Sequence, residues 1–265
     1  MNSLAMSEVI STLVLTSTVL LITIVAAFIA DSVLETQAQK SEFEEAKSAF
    51  TLLADIIEDI SSNPYASGYV RVNSRSGRIE YKNCTFTITV SVDGNVLTSN
   101  TTSSVMFIGG DKIGFIPSEI LYGVSSILVN DSITPLVSVY TGYANGRPFV
   151  ALNTTRVRIV DRGTIHIRAD NTYYHVFDVI LVRLVITRVQ VSGSFTILVH
   201  NVWTNATVIP IPLNEGGINA RFTITVKVIS DGSSKKEDMN VDLSNENIDG
   251  VLFNVITVEL DLEII

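Results

Sequence analysis

The chain has 265 residues, 46% hydrophobic and only 17% charged, with a net charge of −9. Its mean hydropathy is positive. That balance excludes a disordered chain and argues against a nucleic-acid partner, because phosphate binding needs clustered Lys and Arg. The one cysteine, Cys84, excludes an intrachain disulfide and a cysteine zinc site, and three histidines (His166, His175, His200) leave little material for metal or general-base chemistry.

The composition changes along the chain. The first proline is Pro64 and the first glycine Gly68. At ordinary usage of about 7% Gly and 5% Pro, roughly seven or eight such residues would fall before that point. Residues 1–70 hold nine acids and two bases, so −7 of the −9 lies there; the other 195 residues hold 18 acids and 16 bases. Two domains are expected, a helical segment over 1–63 and a larger unit over 64–265.

Residues 9–30 are 22 consecutive positions without a charge. At 1.5 Å per residue they reach about 33 Å, enough to cross a bilayer core of roughly 30 Å. The run carries Ser11, Thr12, Thr16, Ser17, Thr18 and Thr23. Each of these hydroxyls can bond back to a carbonyl one turn earlier, and small polar residues suit close helix contacts in an apolar medium. Beyond Asp31, Phe43, Ala46, Phe50, Leu53, Ile57 and Ile60 recur at spacings of 3 and 4, a heptad stripe that Ala49, Leu52 and Ile56 widen. Glu44, Lys47, Ser48, Thr51, Asp55, Glu58 and Asp59 occupy the other face. Ser61-Ser62-Asn63-Pro64 is the stop, since proline disfavours α geometry in the residue before it. A single helix of that length reaches about 93 Å, and its first half must find an apolar partner outside the chain.

Three readings compete for that first half. A secretory signal has a basic start and a 7–15-residue core; here the core is longer and no base precedes Lys40. A lone membrane anchor meets a charge conflict, because the nearest bases follow the run and would be kept in the cytoplasm together with the domain behind them. A processed chain, whose short basic leader oriented the segment and was then removed, resolves the conflict, although Met1 can also be read as an initiator.

From Gly68 onward the period is 2. Residues 221–228 and 78–92 alternate polar and apolar, as do the shorter runs 156–159 and 164–168. Residues 177–191 and 250–258 are apolar on both faces, the pattern of central strands, and Glu259, Asp261 and Glu263 then alternate outward against Leu260, Leu262 and Ile264. Asp93-Gly94, Gly109-Gly110, Asn145-Gly146, Ser192-Gly193, Gly216-Gly217 and Asp231-Gly232 are turn signals. The fold class expected is α+β: a long N-terminal hydrophobic helix followed by an all-β sandwich head, Ig-like in architecture but without the Cys…Trp…Cys signature. Residues 233–247, the most polar stretch, are expected to be an exposed loop.

Chemistry is sparse. No phosphate loop, Gly-x-Ser-x-Gly elbow or His-Glu-x-x-His occurs. No catalytic residue, metal ligand or cofactor is assigned, and the chain is not expected to be an enzyme. The histidines are expected to be packed or at the surface, and Cys84 to be a buried thiol. Asp238, Asn240, Asp242 and Ser244, with Asp249, have oxygen-ligand spacing, but Leu243 replaces the calcium loop's glycine, so a solvated polar loop is the better reading. Asn83, Asn100, Asn130, Asn153 and Asn205 stand in Asn-x-Ser/Thr sequons and are candidate N-glycosylation sites.

Ser7-Glu8-Val9-Ile10-Ser11-Thr12-Leu13-Val14-Leu15, continuing to Ile24-Val25-Ala26-Ala27, resembles the N-terminal helix of archaeal type IV pilins and archaellins, over about residues 1–60. Members start with a Ser-Pro-Val-Ile-Gly/Ala-Thr-Leu-like segment; here Glu8 stands where many have Pro, and Ser11 where many have Gly or Ala. The family's leader with its Lys/Arg-Gly cleavage site is not among these residues, as a processed chain would have it. The resemblance is closest in kind to crenarchaeal adhesion filament subunits with an Ig-like head. It implies a homopolymer with the helices in the core, in which Val9, Ile10, Leu13, Val14, Leu20, Leu21, Ile24 and Phe28 pack against copies of themselves. Phe43 through Ile60 would hold the head. The resemblance also implies residence in the membrane before assembly, an assembly ATPase and platform machinery, and an extracellular filament at the cell surface. Glu8 would be a candidate partner for a neighbour's N-terminal amine, as in bacterial type IV pilins, or an ordinary helix-start acid. Adhesion is favoured over rotation as an archaellin; a monomeric membrane-anchored adhesin or receptor and an anchored enzyme are the other readings.

Overall fold

The computed structural model describes residues 3–265 apart from 132, 169–170, 190–192, 214–218, 231 and 245, with side chains of the N-terminal helix described from Ile10 onward. Met1 and the side chains of Glu8 and Val9 therefore lie outside the described residues.

The helix α1 runs unbroken over Ser3–Ser62, 60 residues and about 90 Å. Its end follows the expected signals. The Asn63 amide donates to the Ile60 carbonyl (3.1 Å) and the Asn63 side chain to the Asp59 carbonyl (2.9 Å), and Tyr65 turns the chain away with φ 65°.

The rest of the chain is strand: β1 Ser67–Val72, β2 Arg78–Val92, β3 Asn95–Ile108, β4 Glu119–Tyr122, β5 Leu128–Val129, β6 Ser138–Ala144, β7 Arg147–Asn153, β8 Val157–Ile167, β9 Thr172–Val189, β10 Phe195–Pro212, β11 Arg221–Ser230, β12 Ser233–Asp242 and β13 Gly250–Ile264. They form a sandwich-like head of two sheets, ordered β1-β10-β13-β9-β8-β5 and β12-β11-β2-β3-β7-β6-β4. The pairing is antiparallel except for β13 with β9 and β5 with β8. The hairpins β2–β3 and β6–β7 close on Asp93-Gly94 (φ 47° and 86°) and Asn145-Gly146 (φ 53° and 78°), the two-residue turns that match strand twist.

Two cores explain why β9 and β13 read as apolar on both faces. Phe177, Val179 and Leu181 of β9 and Val251, Phe253 and Val255 of β13 pack with Ile88, Val90, Ile224 and Val226. Val182, Leu184, Ile186, Val258, Leu260, Leu262 and Ile264 instead pack with the C-terminal half of α1. The β9–β13 register is unbroken from Gly250↔Tyr174 to Leu262↔Ile186. Odd and even positions therefore point to opposite faces, and the sheet buries one face at one end and the other face at the other. Glu259, Asp261 and Glu263 alternate outward against fully buried Leu260, Leu262 and Ile264, as expected.

Several expectations need correction. Residues 233–242 are not a loop but β12, an edge strand paired with β11 from Arg221↔Asp242 to Ser230↔Ser233. Its polarity suits an edge, where charged side chains discourage pairing with another chain. Asp238 and Asn240, read as part of a solvated loop, instead accept hydrogen bonds from Thr225 (2.6 Å) and Thr223 (3.0 Å) on the neighbouring strand. Cys84 is exposed rather than buried; it sits with φ 50° in a bulge that interrupts β2 between Lys82 and Phe86. The runs at 156–159 and 164–168 belong to one strand, β8, bulged between Asp161 and Gly163. Leu52 is 52% exposed, because at 100° per residue it lies about 130° from the centre of the buried stripe; Ala49 and Ile56 do widen it as expected, and Ala54 widens it on the opposite flank.

Candidate functional site

The outstanding surface is the first half of α1. Leu13 is 66% exposed, Leu20 63%, Leu21 64% and Phe28 73%, and Ile10, Val14 and Ile24 are exposed with them. The most apolar 18-residue window of this helix has none of its residues buried. By length and composition the segment can cross a membrane. Four of its hydroxyls bond back within the helix: Thr16 donates to Thr12 O (2.9 Å), Ser17 and Thr18 to Val14 O (2.9 and 2.8 Å), and Thr23 to Val19 O (2.8 Å). The rod therefore presents hydrocarbon on every side, the profile of a helix surrounded by an apolar medium. Exposed contiguous apolar surface of this extent marks an interaction site.

The second half of the same helix is locked into the head. Phe43, Ala46, Phe50, Leu53, Ile57 and Ile60 are at most 3% exposed and lie in the first core. One turn before Phe43 the stripe continues with Gln39, which is buried; its Oε1 accepts from the Lys112 amide at 2.9 Å. Gly109-Gly110 is not a hairpin turn but a close crossing over the helix. A Cβ on Gly110 would sit 2.2 Å from Gln39 Oε1, and one on Gly109 would sit 2.9 Å from Phe43.

A row of carboxylates clamps the two parts. Glu35 pairs with Lys112. Glu42 reaches the 74–77 turn between β1 and β2, where it accepts from the amides of Arg75 (3.0 Å), Ser76 (3.1 Å) and Gly77 (2.9 Å) and from the Ser76 hydroxyl (2.7 Å). Glu45 accepts from Asn73 (2.7 Å). Glu58 accepts from the Val137 amide (2.7 Å) and faces Arg158 at 3.8 Å. Burial alone would raise the Glu42 pKa, but the donors of Gly77, Ser76 and Arg75 outweigh it and hold the carboxyl below its ordinary value. At Glu58 burial wins over the Val137 amide and Arg158, and the carboxyl is pushed up. Much of the acidity of residues 1–70 is thus spent on docking, a role the sequence pattern missed because the partners are backbone amides of distant turns.

The other candidate residues are dispersed. His166 stacks on Tyr173 at 4.5 Å. His175 is buried and touches Phe177, but both its ring nitrogens meet carboxylates, Glu246 and Asp161, each at 2.7 Å. That arrangement ties the segment before β13 to the β8 bulge and was not legible locally. Among the described residues no group of three or more His, Cys, Asp or Glu is placed to hold a metal ion. Of the sequon asparagines, Asn205 is exposed on β10. Asn83 is exposed, with its Oδ1 accepting from Ser103 at 2.8 Å. Asn130 is exposed, but the sequon's Ser132 lies outside the described residues. Asn100 is half-buried and donates to Thr98 (2.9 Å). Asn153 is half-buried, with Ser138 and buried Thr155 donating to its Oδ1.

Residues 5–116 are similar to a family described as a family of unknown function (DUF7289). The match spans nearly all of α1, the strands β1 to β3 and the segment that crosses the helix at Gly109-Gly110. No curated protein and no solved structure matches the chain.

Proposed function

We propose that this protein is the structural subunit of an extracellular, type IV pilus-like filament, with the rods packed together in its core and the β heads forming its outer wall, serving adhesion. The observation that carries the reading is one continuous helix, uncovered and uncharged along one half and fixed in a folded head along the other. The resemblance of its first residues to archaeal type IV pilins and archaellins supports the same assignment.

The energetics favour it. About fifteen aliphatic side chains at roughly 1.5–3 kcal/mol each give a gross term on the order of 20–45 kcal/mol for withdrawing the rod from water. Lipid satisfies that term before assembly and copies of the rod satisfy it afterwards, so transfer between the two gains little and calls for an energy-driven machine. Non-closing contacts between identical subunits propagate as a helix rather than a closed ring. In this scheme the chain resides in the membrane first, its partners are its own copies together with an assembly ATPase and platform, and it performs no catalysis.

Electron microscopy of surface material sheared from the source cells tests the reading. Filaments that contain this chain and are lost on Leu20→Asp, with the head still folded, are the expected result. A full-length chain that remains dispersed in plain buffer, or is found only as a monomer in detergent-extracted membranes, overturns it.

A further inference from the structure

A second surface lies in the head, along one edge of its first sheet. The strand β10 outruns its neighbour β1: their register covers only Val72↔Phe195 to Ser67↔His200, while β13 stays paired with β10 as far as Pro212↔Gly250. Among the described residues no strand lies on the other side of β10 beyond Asn201. Residues 202–208 are all exposed, Trp203 and Val208 among them, and residues 201–213 carry no charge. The edge strand β12 carries Lys235, Lys236, Glu237 and Asp238, a guard against pairing with another chain. The β10 edge has no such guard.

The direction of its backbone groups follows from the pairing. The Thr196 amide donates to the Ile265 carbonyl (2.7 Å) and the Asn201 amide to the Ala66 carbonyl (2.9 Å). Before the bulge at Asn201/Trp203, even-numbered residues of β10 therefore face β13 and odd-numbered ones face β1. The bulge adds one residue and reverses the phase; accordingly the Leu213 amide donates to Asp249 (3.0 Å), on the β13 side. Thr204, Ala206 and Val208 thus turn both N–H and C=O to the open edge. Pro210 and Pro212 have the same orientation but no N–H to offer, so the free stretch is bounded by the bulge at one end and the prolines at the other.

This stretch is balanced about its middle residue. If two copies pair antiparallel with Ala206 opposite Ala206, Thr204 falls opposite Val208, and each of these pairs exchanges both of its N–H···O=C bonds. On one face Trp203 then lies opposite the second copy's Ile209, an aromatic–β-branched pair of the kind that stabilises sheets, and Asn205 lies opposite Thr207. We propose that the open edge of β10 is a self-recognition surface, at which a second copy of this chain adds its own β10 across a two-fold axis at Ala206 and extends the sheet from one head into the next. No charge complement is needed, since neither copy brings a charge to the seam. The contact is isologous and closes on itself, unlike the non-closing contacts of a filament, so the inference goes beyond the filament reading and does not rest on it. Asn205 is also a sequon residue; a glycan there would cover the same strip, and the two uses exclude each other.

The test is oxidative cross-linking of the full-length chain in mild detergent, which covers the rod. The chain is made without N-glycosylation and with the exposed Cys84 removed by Cys84→Ser. Residues opposite each other in the pair lie about 5.5 Å apart, within reach of a disulfide, whereas Thr204 and its own copy would be about 14 Å apart. Ala206→Cys alone, and Thr204→Cys mixed with Val208→Cys, should form dimers at least tenfold faster than Thr204→Cys alone. Ala206→Pro in both chains of that mixture removes the central donor where an edge strand tolerates proline, and should slow the cross-link at least tenfold. Ala206→Lys, which sets like charges opposite each other, should do the same without altering the backbone, and circular dichroism should show the head folded in each. Thr204→Cys alone cross-linking as fast as Ala206→Cys, no dimer from Ala206→Cys, or a mixture whose rate is unchanged by Ala206→Pro and Ala206→Lys, each overturns the proposal.

Discussion

The two halves of α1 are made of similar residues and meet opposite fates. Residues 10–29 are rich in Leu, Ile, Val and Ala, and residues 43–60 in Leu, Ile, Ala and Phe. The first half distributes them around the whole cylinder and stays uncovered; the second concentrates them on one stripe and buries it in the head. Angular distribution, not hydrophobicity, decides which half folds into its own domain and which is left for other molecules. The charges follow the same division. The first charge after residue 8 is Asp31, and Glu35, Glu42, Glu45 and Glu58 each find a partner in the head.

This contrast can be broken from either side. The largest effect is expected from the rod: Leu20→Asp, or removal of residues 1–30, should eliminate filaments entirely in electron micrographs while the head keeps its thermal transition. The next is in the docked half. Phe50→Ala should destabilise the head by about 3–5 kcal/mol in denaturant unfolding, whereas Leu52→Ala, two residues away and exposed, should stay within about 0.5 kcal/mol of the native chain.

Smaller again is the clamp. Glu42→Gln removes a partly exposed carboxylate from a set of converging donors, and discounted for that exposure it should cost about 1–2 kcal/mol. Its pH dependence has a defined sign. The Glu42 carboxyl is held below its ordinary value of 4.5, so the stability it supplies is full above that value and drains away as pH falls through the lowered one. Glu237 behaves alike. Burial is outweighed by donors from Ser126, Leu128, Lys235 and Ile127, which pull its pKa down to about 2. Glu58, pushed up, works in the opposite sense: it favours the fold when protonated, and that contribution is lost as pH rises through its raised value. Urea midpoints of the native chain should therefore decline below about pH 4.5, less steeply in Glu42→Gln and more steeply in Glu58→Gln.

Much of this was legible in the sequence. The absence of Gly and Pro before Pro64, the uncharged run and the 3–4 spacing from Phe43 to Ile60 define the helix and its change of character. Asp93-Gly94 and Asn145-Gly146 locate two hairpins because only such pairs accept two successive positive φ values cheaply. What was hidden depends on partners far away in the chain. The strand β12 reads as a loop because an edge strand needs no apolar face. Glu58 looks like a solvated acid until the Val137 amide is brought to it, and His175 looks like an aromatic-core residue until Asp161 and Glu246 converge on it.

The placement of β13 bears on how the molecule is made. This strand follows all the others in the chain, yet it occupies the interior of its sheet between β10 and β9, and it completes both cores. Until residues 250–264 emerge, nothing joins β9 to β10, so neither hydrophobic cluster can close and the pairing across the middle of this sheet must wait for that strand. A nascent chain held at its N-terminus by lipid would thus carry an open head until β13 arrives. The head of such a chain would mature in one late cooperative step, set by the arrival of the strand that joins its two cores.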